Sequence, residues 1–419
     1  MRFLFFMGIL ASIALPANAT EKMTVAQLEQ IISQAESNPR EAKHDTRSSD
    51  EVSEISDGDL LPQLGLDDAL LPKLADIELT ERMNTLTLYR LVGKYRLGPQ
   101  IQIALEQMAD RSALLKLPAG EAPVLPIPDA KAEQTMFTAA REYVIRRLSH
   151  LPDFVATRTT TTFDNTPASL KYFQSITDAG GFRKVETEQQ QITFRDGKEV
   201  TEPAGSAGGG KQSESAFESR GEFGTQAAVV VMDLEHGTVK FDHWENTMGG
   251  VAAVFQYSVP RDYSHYEVTD RCKDRISFHD RPGYRGQIAL NPKTGAILRI
   301  TLEAEWASGD PVSHVASVIE YGPVVLGNRR SLCPLRSLAF LTQEVDACSH
   351  GRHRLAKPVM MINRTIFSNY HRFGSNSTLI FDEANSPDAV PHGQADTPQS
   401  GKERKTPIRP AATIQSNDR

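Results

Sequence analysis

Asp242, His243 and Glu245, within the run FDHWE, are the residues whose types could move protons, because a histidine between two carboxylates can relay one at neutral pH. On a strand, alternation puts Asp242 and His243 on opposite faces. His243 and Glu245 then share a face, and Trp244 turns inward. A hydrolase built on these three would also need a nucleophile or a metal. The chain has no G-x-S-x-G elbow, no H-E-x-x-H helix, no Walker loop and no G-x-G-x-x-G. The expectation is a cross-strand polar face, with no catalytic residue. In HGRHR, His350 and His353 could ligate a metal, but Arg352 and Arg354 would repel a cation, so a solvated basic loop and no metal are expected. GSAGGG, at 205–210, lies between polar segments without a preceding strand, which removes the frame of a phosphate cradle, and no cofactor is expected. Cys272, Cys333 and Cys348 could close one disulfide in an oxidising compartment, and the three pairings stay open.

Composition bounds the setting. In 419 residues, 39% hydrophobic and 24% charged, there is material for one large or two medium cores. A net charge of -7 offers no basic excess for a phosphate backbone, so nucleic acid is set aside as a partner. The first residues, MRFLFFMGILASIALPANA, run cation, apolar stretch, proline and A-x-A. That order predicts an export signal (1–19) cut after Ala19 and a protein that resides in the periplasm or outside the cell. No later apolar stretch is long enough to span a bilayer, so no transmembrane segment is expected in the mature protein.

Any chemistry must be positioned by the elements that follow. Residues 20–117 read as a helical region, opened by a Thr24–Gln27 capping box and interrupted by a polar, acidic linker at 37–59. Pro118, Pro123, Pro126 and Pro128 mark an extended connector over 118–130. A helix from Lys131 to Ser149 begins the next unit, 131–383, with Phe137, Ala140, Val144, Leu148 and Leu151 on one face. The period then changes to two, from FVATRTTTTF through a hairpin turning at Asp196-Gly197 to a run of strands ending at STLIF. A Gly/Ser stretch at 203–216 interrupts them. FGTQAAVVVMDLEHG wavers between buried strand and short helix, and is read as helix. Residues 384–419 form a polar tail without periodic hydrophobics, expected to be disordered. The class is α+β: N-terminal helices, then a helix followed by a large antiparallel sheet.

The hairpin LNPKTGAILRI leads into a strand on which Leu298, Ile300, Leu302, Ala304 and Trp306 share one face and Arg299, Thr301 and Glu303 the other. At about 1.5–3 kcal/mol for each fully buried large side chain, the apolar row must be covered. Either the helix from Lys131 covers it as ordinary core, or the concave face keeps a slot for a hydrophobic ligand lined by Leu298, Ile300, Leu302, Trp306 and Trp244.

The segments GEFGTQAAVVVMDLEHGTVKFDHWE, VFQYSVP, YRGQIALNPKTGAILR and SLCPLRSL, in this order, resemble a family of exported bacterial proteins with no assigned activity. In outline, a helix, LSHLPDF, a β-branched strand and a sheet containing YRGQIALNPKTGAILRITLEAEW resemble the periplasmic outer-membrane lipoprotein-sorting carriers, whose half-barrel wraps a helix and holds acyl chains. That resemblance implies a large curved antiparallel sheet of half-barrel form wrapped on a helix, in a non-enzymatic protein with a lipid or other apolar small molecule as partner. No arginine matches the carriers' functional position, so no functional residue is carried over. The rival expectation is an envelope interaction module whose helices or acidic linker contact another protein.

Overall fold

The computed structural model describes residues 21–37, 70–75, 77–146, 151–165, 182–195, 197–202, 221–272, 275–307, 309–345 and 354–373. The expected signal peptide, the acidic linker beyond Ser37, the Gly/Ser stretch 203–216, Cys348, His350, His353, STLIF and the tail from 384 lie outside them.

The helical region builds a core of its own. Thr24 opens α1 (Val25–Ser37) with the expected capping box: its Oγ1 accepts from Gln27 N at 3.2 Å, and Gln27 Oε1 accepts from Thr24 N at 2.8 Å. A helical turn, α2 (70–75), precedes α3 (Thr85–Tyr95), whose N-cap Asn84 accepts from Thr87 N, and α4 (Pro99–Ser112) starts on a proline whose missing N–H costs nothing there. A short parallel pair, β1 (Glu21–Met23) with β2 (Ile77–Leu79), ties the start of the region to the segment between α2 and α3. Leu28, Ile32, Leu91, Ile101 and Leu105 are fully buried in a cluster drawn only from residues between Met23 and Ala109.

The connector leads to α5 (Ala130–Arg146), capped where Asp129 Oδ1 accepts from Ala132 N at 2.7 Å. Strands then alternate with turns: β3 (Phe154–Asp164), β4 (Arg183–Arg195), β5 (Lys198–Glu202), β6 (Thr238–Thr247) and β7 (Gly250–Val259). Between β5 and β6 lies α6 (Thr225–Asp233), the stretch that wavered between strand and helix. A separate hairpin, β8 (Val268–Cys272) and β9 (Arg275–Asp280), precedes β10 (Tyr284–Leu290), β11 (Ile297–Ala304), β12 (Val312–Leu326), β13 (Arg329–Val345) and β14 (Arg354–Arg372).

Among the described residues ten strands form one antiparallel, curved sheet in the order β5-β4-β3-β14-β13-β12-β11-β10-β7-β6. It does not close, because β5 and β6 end it without meeting. The α+β class with an antiparallel half-barrel is therefore as expected. The run of strands is not a simple meander, however. Three runs, β3 to β5, β6 to β7 and β10 to β14, each pair in chain order, but they are not joined in that order. The last strand pairs with β3, and β10 skips the β8–β9 hairpin to pair with β7. Sequence patterning gives strand existence but carries no signal for such long-range partners, and β9 was missed.

Both faces of the sheet are covered. The inner face, defined by α5 and α6, holds Phe255, Tyr257, Tyr284, Ile288, Ile300 and Ile319 against Met136, Ala140 and Val144 of α5 and Ala227, Val230 and Val231 of α6. The outer face carries Phe163, Val318, Leu338, Phe340 and Ile362 beneath Ala113 and Leu114, which follow α4.

Candidate functional site

The inner face is the apolar surface foreseen, but a bulge changes who lines it. Ala289 pairs with Arg299 while Leu290 pairs with Ile297, so Leu298 is the extra residue. A bulge reverses alternation on its far side. Ile297 therefore joins Ile300 and Leu302 on the inner face, and Leu298 packs with Ala252, Val254 and Ala289 on the outer one. The single-face row expected from the sequence is corrected at that position. Trp306 lies past the end of β11, its ring 5.7 Å from that of Phe278 on β9. Trp244 turns inward against Phe241, and its Nε1 donates to Pro126 O at 2.9 Å, pinning the proline connector beside β6.

The hairpin turn ahead of β11 touches α5 directly. Asn291 Oδ1 accepts from Lys293 N and Thr294 N, and Gly295 takes φ 67, the left-handed conformation that glycine was expected to supply. A Cβ placed at Gly295 would lie 2.2 Å from Ala139 C. The turn is thus a close backbone contact and carries no reactive group.

On α6, polar anchors occupy both ends while the middle is apolar. Gln226 Nε2 donates to Ser317 Oγ on β12. Buried Asp233 accepts from Tyr284 OH at 2.8 Å and from His265 N at 2.9 Å, and lies 2.6 Å from His265 Nδ1. Burial, then the Asp233 bond, push the Tyr284 hydroxyl far above its ordinary pKa, so it remains a donor. Just ahead of the helix, Glu222 is fully buried, with Arg158 Nη2 at 3.3 Å and Ser337 Oγ at 3.3 Å, and Tyr321 OH donates to its carbonyl at 2.9 Å. Cys333 lies buried on this side with a free thiol pushed by burial to about 12.

The FDHWE residues do meet, on the outer face. A second bulge, between Phe241 and His243, makes Asp242 the extra residue and turns it to the side of His243. Asp242 Oδ2 lies 2.8 Å from His243 Nδ1, and Glu245 Oε2 lies 3.5 Å from His243 Nε2. The expectation that Asp242 and His243 point apart fails for that reason. Glu245 is nevertheless no base. Arg82 Nη2 at 2.6 Å and Arg299 Nη2 at 2.9 Å flank it, all three side chains being 3–4% exposed. Burial drives its pKa up, but the charges of Arg299 and Arg82 and the His243 bond outweigh that and hold it below the carboxylate range. A group so reluctant to bind a proton cannot serve general-base chemistry near neutrality.

Further along the same face the helical region meets the sheet through more buried charge. Asp110 of α4 pairs with Arg336 of β13 and, at 2.8 Å, with Arg364 Nε of β14, which also pairs with Glu106. Burial lowers the Arg336 pKa, yet Asp110 and Glu320 more than reverse it. Sequence reasoning missed Arg82, Arg299, Arg336, Arg364 and Asp110. Arg299 was visible only as a member of the supposed wet face of β11, since nothing local says that a helical layer buries that face.

No protein-family model matches the chain, and no curated protein matches it in sequence. Among solved structures it is similar to a LolA superfamily protein from Nitrosomonas europaea, at 10% identity and TM-score 0.26, over 57% of this chain and 93% of that one. It is also similar to a DUF1329 family protein from Desulfovibrio piger, at 10% identity and TM-score 0.25, over 57% and 95%. A third likeness is to a chain of the MucA/MucB complex of Pseudomonas aeruginosa, at 11% identity and TM-score 0.19, over 57% and 94%.

Proposed function

We propose that the protein is an exported, non-enzymatic binding module that takes an apolar chain, such as a lipid acyl group, against the inner face of its sheet, with α6 as the plug that the ligand displaces. One observation carries this reading: the aromatic and aliphatic floor of an open sheet is covered in part by a nine-residue helix that meets it through small apolar side chains along its middle and is held by polar anchors at its two ends. Covering of this kind is easily exchanged for a ligand of similar polarity, since the transfer of apolar surface is non-directional. Gly224, the N-cap of α6, holds φ 130, and glycine, having no Cβ, can leave that conformation for others at little steric cost. A Gly/Ser-rich stretch precedes the segment in sequence. Ile300, Leu302 and Trp244 are the residues of the expected lining that sit on or beside this floor. Export rests on the charged, apolar and A-x-A order of residues 1–19. No helix among the described residues is long and apolar enough to cross a membrane.

The test is titration with a dansylated fatty acid. Wild type should bind it. Asp233→Ala, which removes the anchor of α6 to Tyr284 and His265, should bind it more tightly, because less work is needed to lift the helix. Absence of probe binding to both proteins would remove this reading.

A further inference from the structure

The seam between the helical region and the outer face differs in kind from the cover of the inner face. Its centre is charge. Glu106 and Asp110 stand one helical turn apart on α4, so they share a face. Opposite them, Arg336 and Arg364 project from neighbouring strands, Arg336 pairing with Ile366 and Leu338 with Arg364 in the β13–β14 register. Arg364 also lies over the Phe163 ring, 5.0 Å from its centroid. Thr85 Oγ1 donates to Glu320 at 2.8 Å, and the Arg82–Glu245–Arg299 set closes the other end.

Three properties make this seam separable. The helical region keeps its own core, to which no described residue of the ten-stranded sheet contributes. Buried ion pairs contribute little net stability, because desolvation offsets most of their attraction, so a charged seam stands closer to balance than an apolar one. Two hollows also lie in the seam, about 20 Å³ beside Thr85, Glu245, Arg299 and Glu320, and about 10 Å³ between Asp110, Phe163 and Ile362. Each is open to solvent on one side, so water reaches the charged seam.

We infer that α4 is an in-chain occupant of a protein-docking surface. The surface is the outer face of β12–β14, where Arg336 and Arg364 read carboxylates at i and i+4 of a helix and Phe163, Val318, Leu338, Phe340 and Ile362 receive the small apolar residues that follow. Its partner is an acidic amphipathic helix of another protein, which takes the place of Glu106, Asp110, Ala113 and Leu114 when the helical layer lifts. Charge complementarity selects that partner: a basic or uncharged helix would leave two buried guanidinium groups unpaired.

The probe is a fluorescein-labelled peptide with the sequence of residues 97–116 of this chain, titrated by anisotropy into the full-length protein. In Glu106→Gln/Asp110→Asn protein the in-chain helix is weakened, and peptide affinity should exceed that of wild type by about tenfold or more and fall with added salt. A peptide carrying glutamine and asparagine at those two positions should bind neither protein. Equal affinity for both peptides, or peptide exclusion with formation of a dimer by exchanged helical layers, overturns the inference. Hydrogen exchange on the wild-type chain tests the lifting without any substitution. Amides of α3 and α4 should exchange faster than those of β12–β14, increasingly so with salt. Identical rates in the two sets at every salt concentration would mean that the layer opens only with global unfolding, and the docking surface would not exist.

Discussion

Arg82 Nη2 lies 2.6 Å from Glu245 Oε2, joining the loop ahead of α3 to β6 with both side chains withdrawn from water. The sequence reads Glu245 as one member of a cross-strand polar face shared with His243, and in the fold it is the anion that two arginines enclose. Breaking a buried pair by removing one member costs about 3–5 kcal/mol, since a charge is left uncompensated. Glu245→Gln should destabilise by that amount in urea unfolding. Arg82→Met should cost less, because Arg299 still faces the carboxylate. Equal effects of the two substitutions would show that Arg299 contributes nothing to the set.

Acid should loosen the seam in a defined window. The pKa of Glu245 is lowered in the folded protein, so the stability it contributes is full above its unfolded value of about 4.3 and declines as pH falls below that, toward the folded value. Stability of wild type should fall below about pH 4.3 more steeply than that of Glu245→Gln, which lacks the linkage. Parallel curves for the two proteins between about pH 6 and about pH 3 would contradict the assignment.

Gly295 makes a separate prediction about the turn against α5. Alanine there meets both the left-handed φ of 67 and the Ala139 backbone. A loss of at least about 1–3 kcal/mol is expected from backbone strain alone. Thermal unfolding of Gly295→Ala at the wild-type midpoint would show that the turn can move away from the helix freely.

Much of the scaffold was legible locally. The Thr24 capping box, the α5 face with Ala140 and Val144 buried, the Gly197 turn between β4 and β5 with φ 73, and most strands of the large sheet follow from periods and turn chemistry within a few residues, whereas β1, β2 and β9 do not. What failed depended on one inserted residue or on distant partners. A bulge at Leu298 and another at Asp242 each reverse alternation, and neither residue type announces it. The seam arginines were invisible because Arg336 and Asp110 are 226 residues apart, and only docking of the helical layer buries them together.

Ile300 and Leu298 separate the two faces experimentally. Each is buried, so alanine at either should cost about 2–5 kcal/mol. Only Ile300→Ala should alter binding of a fatty-acid probe, because only Ile300 lies under α6 and α5. An equal change in both would place the probe elsewhere.

Native mass spectrometry of the full-length protein, purified from its own host without detergent, tests the central claim most directly. The proposed function predicts a bound apolar species that adds mass to the polypeptide, is released by organic extraction, and is reduced in Ile300→Ala relative to Leu298→Ala. A spectrum showing only the bare polypeptide, together with no affinity for the dansylated fatty acid, would contradict it.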